Sequence, residues 1–114
     1  MLSNESQGKV EKSRKIRKIP SSVEFIDSEA FADAGLTHIE IPNVRSIGSA
    51  AFGGCQSLAS VTLSASLYFI GEYTFAMCQS LTKVEIPNSV SSIGAGAFQD
   101  CGIIEIVVPD NVRF

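Results

Sequence analysis

A histidine, a serine and a glutamate have the side-chain types that nucleophilic catalysis needs. His38 and Glu40 stand two residues apart, so on an extended strand they project from the same face. Ser60 comes 22 residues after His38, at the matching place in a second copy of the same pattern. A Ser–His–carboxylate set also needs a pocket and donors for an oxyanion, and the surrounding sequence indicates neither. We therefore predict no catalytic residues and no enzymatic activity.

Three cysteines form the second set of reactive side chains. Cys55, Cys78 and Cys101 recur once in each copy of the pattern, which makes them one structural column. Zinc sites use closely spaced cysteine pairs, which this spacing does not provide. The single histidine, His38, lies in another part of the pattern and is badly placed to activate a thiolate. We predict reduced, mostly buried thiols, with neither a metal nor a cofactor.

The segments that carry these residues repeat along the chain. Residues 36–55, 58–78 and 81–101 have apolar side chains at matching places, and the period is 22 or 23 residues. One phenylalanine recurs in each copy, at Phe31, Phe52, Phe75 and Phe98. Such a period is typical of a solenoid, because a single unit cannot bury its own apolar face. The phenylalanines are expected to form a continuous buried seam.

The third copy shows how one coil is built. Val84 and Ile86 alternate with Lys83 and Glu85, so the first pair points into the core and the second pair points outward. Pro87 ends this strand because it has no amide hydrogen to donate. Stacking such coils places the strands side by side and parallel.

The rest of the coil is expected to turn and return. Gly94 follows Ile93, as glycine does in two earlier copies, and it suits a tight or left-handed bend. Phe98 and Cys101 are three residues apart, which is helical spacing over a stretch long enough for one α or 3₁₀ turn. The predicted fold is a repeat solenoid with parallel strands on its concave face and short helical turns on its convex face.

The full pattern, L-x-x-I-x-I-P-x-x-V-x-x-I-G-x-x-A-F-x-x-C, resembles the BspA-like leucine-rich repeat. The residues that carry it are best seen in the segment VEIPNSVSSIGAGAFQDC, residues 84–101, and the match extends from about residue 19 to residue 114. The resemblance implies a leucine-rich repeat fold and a role in adhesion or protein recognition, usually at a cell surface. The alternative left open is an intracellular structural or scaffold fragment without a dedicated ligand.

Charge divides the chain into a head and a repeat body. Residues 1–19 hold six basic and two acidic side chains, whereas the remainder holds three basic and ten acidic ones. We interpret residues 1–15 as a disordered, polar basic leader and residues 16–114 as a solenoid of about four repeats plus a partial one. No aromatic residue interleaves with the basic ones, so no nucleic-acid partner is expected. No apolar run is long enough for a membrane span.

The compartment stays open at this point. The N-terminal residues contain no apolar segment of a secretory signal. The family resemblance implies the cell surface, and the absence of a signal leaves the cytoplasm possible.

The outward strand positions form the predicted binding surface, here called the concave face. Its candidate protein-binding residues are His38, Glu40, Ser60, Thr62, Lys83, Glu85 and Glu105. The aromatic residues that often anchor protein interfaces are absent from it. Tyr68, Phe69 and Tyr73 are expected instead in the loop and the helical part of the second repeat.

The last coil raises the prospect of self-association. It has the strand residues Ile103, Ile106 and Val108 but no phenylalanine-bearing turn after them. Open apolar ends and unpaired strand edges recruit partners. We therefore predict that the chain either continues natively into more repeats or associates through residues 103–114, end to end or with another chain. An unidentified protein partner is predicted for the concave face.

Overall fold

The computed structural model describes residues 18–114, so the predicted leader, residues 1–15, lies outside the described part. Each complete coil contributes one three-residue strand and one two-residue strand. In chain order the strands are β1 (Phe25–Ile26), β2 (His38–Glu40), β3 (Ser46–Ile47), β4 (Ser60–Thr62), β5 (Phe69–Ile70), β6 (Lys83–Glu85), β7 (Ser92–Ile93) and β8 (Glu105–Val107). Every pairing between them is parallel, which confirms the predicted parallel-strand solenoid.

The three-residue strands carry the concave face and alternate as predicted. β2 pairs with β4, and β6 pairs with β8. Ile39 and Val84, at the centres of β2 and β6, are buried, while Lys83 and Glu85 on either side of Val84 are exposed. In β2 and β6 the hydrophobic side therefore faces the core and the polar side faces solvent, whereas β8 is exposed at all three residues.

A second sheet, which we call the turn-side sheet, was not predicted. It consists of the two-residue strands in the order β1-β3-β5-β7, with four isoleucines in register, Ile26, Ile47, Ile70 and Ile93. Two residues are too few to display the period-2 alternation by which a strand is recognised in a sequence. The sequence therefore indicated the buried isoleucine column but not the strands that carry it.

The prediction of short helical turns is wrong: residues 18–114 contain no helix. The Phe-bearing segment of a coil consists instead of successive turns, such as those closed by Ala51 N–H on Gly48 O (3.2 Å) and by Cys55 N–H on Phe52 O (3.2 Å). Left-handed residues interrupt the segment, with φ of 55° at Ala50 and 77° at Gly54. A right-handed helix cannot continue through such residues. The same two columns hold Glu29, Asp33, Tyr73, Met77, Gly96 and Asp100.

The recurrent glycine after isoleucine serves close packing rather than a left-handed bend. A Cβ atom added to Gly71 would lie 2.9 Å from the carbonyl carbon of Gly48, and one on Gly94 would lie 2.6 Å from the nitrogen of Glu72. Real Cβ atoms do not approach a backbone so closely, so the coils can stack at this distance only with glycine.

The predicted phenylalanine seam is confirmed. Phe31, Phe52, Phe75 and Phe98 stack ring on ring, with centroid separations of 5.1, 5.3 and 5.5 Å and interplanar angles of 3°, 6° and 10°. Phe52 and Phe75 are fully buried. A buried phenylalanine contributes about 1.5–3 kcal/mol of transfer free energy, so this seam is a major stabilising element of the stack.

Candidate functional site

The predicted concave-face residues lie together on β2, β4, β6 and β8. His38 sits beside Ser60 and Glu40 beside Thr62 in the β2–β4 pair. Lys83 sits beside Glu105 in the β6–β8 pair. His38 is half-buried, and the other candidate residues are exposed. The fold thus presents them as one polar surface.

The histidine and serine of the sequence-derived catalytic set contact each other. His38 Nδ1 and Ser60 Oγ are 2.5 Å apart on the protein surface. Within residues 18–114, Glu40 makes no hydrogen bond to His38. The carboxylate that would orient the imidazole is therefore not engaged, and the pair acts as a link between neighbouring coils.

A second polar pair links the last two concave strands. Lys83 Nζ lies 4.0 Å from Glu105 Oε1, and the two side chains are 69% and 60% exposed. An ion pair this exposed stabilises a fold by about 0–1 kcal/mol. Because Lys83 is engaged, Glu40 and Glu85 remain as concave-face carboxylates with no ion pair or hydrogen bond to any described residue.

The cysteine column is structural. Cys55 and Cys78 are buried and Cys101 is half-buried, as predicted. Each thiol donates to the carbonyl of a phenylalanine in the preceding coil, at 3.1, 3.1 and 2.9 Å. Hydrogen bonding with the Cys101 thiol, then with the Cys55 thiol, together with burial, raises the pKa of Cys78. The thiol form of Cys78 is thus favoured over the nucleophilic thiolate.

Within residues 18–114, no group of three histidine, cysteine or acidic side chains is arranged to hold a metal ion. No helix in these residues is long and apolar enough to cross a membrane.

The backbone hydrogen-bond ladder of the concave face is interrupted between β4 and β6, which the sequence did not indicate. A backbone N–H just after each strand regularly donates to a carbonyl of the next coil. The regular bonds of this kind are Ile19 N to Glu40 O (2.8 Å), Ile41 N to Thr62 O (3.1 Å) and Ile86 N to Val107 O (2.9 Å). The matching bond, from Leu63 N to Glu85 O, is absent among the described residues. We call this interruption the ladder gap.

A second regular bond is absent at the same step. Ala59 N donates to Thr37 O (2.8 Å), and Ile104 N donates to Thr82 O (2.8 Å). The equivalent bond from Thr82 N to Ala59 O is not formed in the described structure. The ladder gap therefore extends along the whole of β4 and β6.

The ladder gap is local, because the same two coils are joined on both sides of it. Ser80 Oγ donates to Gln56 O (2.6 Å) before the strands, and Ser89 Oγ donates to Leu67 O (2.5 Å) after them. Farther along, β5 and β7 pair normally in the turn-side sheet. The stack is therefore continuous, and only its concave edge is open.

A groove of about 400 Å³ follows the ladder gap at the carboxyl ends of the strands. Its walls include Leu63 and Glu85, the two residues whose bond is missing, with Val61, Ile86 and Val107. A neighbouring groove of about 320 Å³ is also lined by Leu63 and, in part, by Glu40. Each of the two unpaired carboxylates thus borders a groove.

The sequence contains one signal that coincides with the ladder gap. The residue after the inward Leu63 is Ser64, whereas the other coils have Pro20, Pro42, Pro87 and Pro109 in this column. Ser64 is buried, and its hydroxyl accepts a hydrogen bond from Ser66 N at 2.9 Å. The departure from proline marks the coil in which the ladder opens.

Exposed apolar side chains form a separate surface away from the concave face. Tyr68, Phe69 and Tyr73 are 43%, 36% and 46% exposed. They were expected in a loop and a helical part, but Phe69 lies in strand β5 and Tyr73 lies in a non-helical turn. The Arg45 guanidinium carbon is 5.9 Å from the centre of the Tyr68 ring.

Comparison with known proteins agrees with this architecture. The family model described as "BspA type Leucine rich repeat region (6 copies)" matches residues 11–114. The chain belongs to the BspA-type leucine-rich repeat family. No curated protein matches it.

Solved structures similar to this BspA-type chain include proteins from Bacteroides and Faecalibacterium. A leucine-rich repeat protein from Bacteroides capillosus ATCC 29799 is 28% identical with a TM-score of 0.79, over 88% of this chain and 83% of that one. A leucine rich cell surface protein from Faecalibacterium prausnitzii A2-165 is 31% identical with a TM-score of 0.82, over 92% of this chain. A leucine-rich repeat protein from Bacteroides ovatus ATCC 8483 is 33% identical with a TM-score of 0.81, over 86% of this chain. The chain spans 28% of each of the latter two proteins.

Proposed function

We propose that this chain is a protein-recognition module whose concave face contacts the ligand. The observation that carries the proposal is the position of Glu40 and Glu85, two exposed carboxylates unpaired among the described residues, each at the edge of a groove. An unpaired carboxylate beside apolar surface is an attractive site for a cationic side chain. Membership of a leucine-rich repeat family agrees with a protein-interaction role.

The finer proposal is adhesion at a cell surface. It is supported by the likeness to the Faecalibacterium protein, which is described as a cell surface protein. The competing proposal is a scaffold repeat with no dedicated ligand, and it assigns no special role to the concave face.

Site-specific photo-crosslinking separates these two proposals. A photoreactive amino acid placed at Thr62 samples the concave face, and one placed at Ser92 samples the turn-side sheet. We expect the chain labelled at Thr62 to give a saturable crosslinked product with its protein ligand. Unlabelled wild-type chain should suppress this product, whereas the unlabelled Glu40→Lys, Glu85→Lys double variant should not. Equal, non-saturable labelling from both positions would support the scaffold and overturn the recognition proposal.

A further inference from the structure

The second coil carries two aromatic residues at surface positions where most other coils do not. Tyr68 is 43% exposed, and its column holds Glu24, Arg45 and Ser91 in the other coils. Phe69 is 36% exposed, and its neighbours in register are serines. Because the coils share one fold, packing does not require an aromatic side chain at either position. Exposed apolar surface without a structural role marks an interaction site.

The outer face of the turn-side sheet has a low point between two rings. Phe25 and Phe69 flank Ser46 in register, and Phe25 is 55% exposed. The next residue on each of these strands is a buried isoleucine, so alternation directs the two phenylalanines outward. Two strand spacings, about 9–10 Å, separate them. The small Ser46 side chain therefore leaves space for one side chain of a partner between the rings.

Arg45 places a positive charge beside this low point. It directly precedes Ser46, and its guanidinium carbon is 5.9 Å from the centre of the Tyr68 ring. Its side chain has no ion pair with any residue in the described range 18–114. Contact with an aromatic ring uses the face of a guanidinium group, so the N–H groups in its plane stay available to a carboxylate. Arg45 therefore selects an acidic group next to the apolar contact.

This combination of residue types is the one that dominates binding energy in protein interfaces. Tyrosine, arginine and phenylalanine are enriched at the centres of interfaces. The candidate residues of the concave face include none of these three types. The net charge of the chain is −3, so the attraction of Arg45 for a carboxylate is local and does not extend to the whole molecule.

We propose that the turn-side sheet has a docking surface, formed by Phe25, Arg45, Ser46, Tyr68 and Phe69, for a protein segment with a large apolar side chain next to a carboxylate. The apolar side chain lies over Ser46, and the carboxylate accepts hydrogen bonds from Arg45. This surface is additional to the concave face, and the proposal does not depend on recognition by the concave face.

A peptide titration followed by nuclear magnetic resonance tests the proposal on the full chain. The probe is the blocked hexapeptide acetyl-Ser-Leu-Glu-Phe-Leu-Ser-amide, at about 0.15 M salt to screen long-range repulsion. The expected result is saturable shifts centred on the amides of Ser46 and Phe69. A peptide with glutamine for glutamate should bind about two- to fivefold more weakly, as for an exposed ion pair. A peptide with serine for its phenylalanine and leucines should not bind.

Three variants of the protein complete the test, each checked for an unchanged pattern of amide shifts away from the substitution. Phe69→Ser should weaken binding at least about tenfold, as for an aromatic anchor. Arg45→Gln should bind the glutamate and glutamine peptides equally. The matched control, Ile104→Ser, removes an 87% exposed apolar side chain outside this surface and should leave the affinity unchanged.

Shifts centred on the concave face, equal binding of the glutamate and glutamine peptides to the wild-type chain, or no binding at all would each overturn the proposal. Concentration-dependent shifts of Ser46 and Phe69 without peptide would show that a second copy of the chain occupies the surface, and would overturn the assigned partner.

Discussion

The two sheets of this solenoid join the same coils, but only one of the sheets is continuous from coil to coil. The turn-side sheet is paired at every step from β1 to β7, whereas the concave sheet is split into β2–β4 and β6–β8. The phenylalanine stack, here Phe75 on Phe98, and the isoleucine column continue without a break across the coils of β4 and β6. The apolar columns therefore hold the coils together, and the concave ladder can lose hydrogen bonds without separating the coils.

The largest loss of stability is expected from a substitution in the continuous phenylalanine stack. Phe75→Ala should lower the free energy of unfolding by about 3–5 kcal/mol, because Phe75 is fully buried between two stacked rings. Urea denaturation followed by circular dichroism measures the change. The matched control is Phe69→Ala, which removes an exposed ring from the same coil and should change stability far less. Equal losses for both variants would contradict the assignment of the seam as the core.

The next largest loss of stability is expected from a substitution that pushes neighbouring coils apart. Gly71→Ala should cost about 1–3 kcal/mol, because the added Cβ would lie 2.9 Å from the backbone of the preceding coil. Gly35→Ala is the control, since a Cβ at Gly35 meets nothing within 4 Å. At that site alanine should be neutral or slightly stabilising, by up to about 1 kcal/mol. A stable Gly71→Ala variant would show that the coils are not held at this spacing.

Much of this stack could be predicted from the sequence, because side-chain type reports burial directly. Isoleucine or valine alternating with charged residues gave the strand at Val84, and the recurrence of phenylalanine gave the seam. The helical turns could not be excluded, because Ala50 and Tyr73 adopt left-handed backbone conformations that their side chains do not announce. The ladder gap was hidden for a related reason. It depends on bonds between backbone groups, which are the same for every residue except proline.

The last strand, β8, is predicted to mediate self-association. β8 is exposed at all three of its residues, and the adjacent Ile104 is 87% exposed. We predict that the protein associates with rising concentration and that the Ile104→Lys, Val107→Lys double variant does not. Sedimentation velocity over a concentration series measures this. The control is Met77→Lys, which changes an exposed residue on the turn side. A wild-type protein that stays monomeric at every concentration would show this prediction to be wrong.

The smallest contribution to stability is expected from the side chains of the concave face. A double-mutant cycle of Lys83→Ala and Glu105→Ala should give a coupling energy of about 0.2–1 kcal/mol, because both side chains are largely exposed. The coupling should fall as salt is added, since ions screen exposed charges. A coupling of several kcal/mol would mean that the concave face holds the coils together, contrary to the comparison of the two sheets.

Amide hydrogen exchange at the junction of the second and third coils tests the central claim most directly. Gly94 N–H donates to Ile70 O at 2.8 Å on the turn side, whereas Leu63 N–H has no acceptor among the described residues on the concave side. We expect the Leu63 amide to exchange far faster than that of Gly94, and also faster than those of Ile41 and Ile86, its bonded counterparts in other coils. Protection of the Leu63 amide equal to that of Ile41 and Ile86 would show that the ladder is closed between β4 and β6.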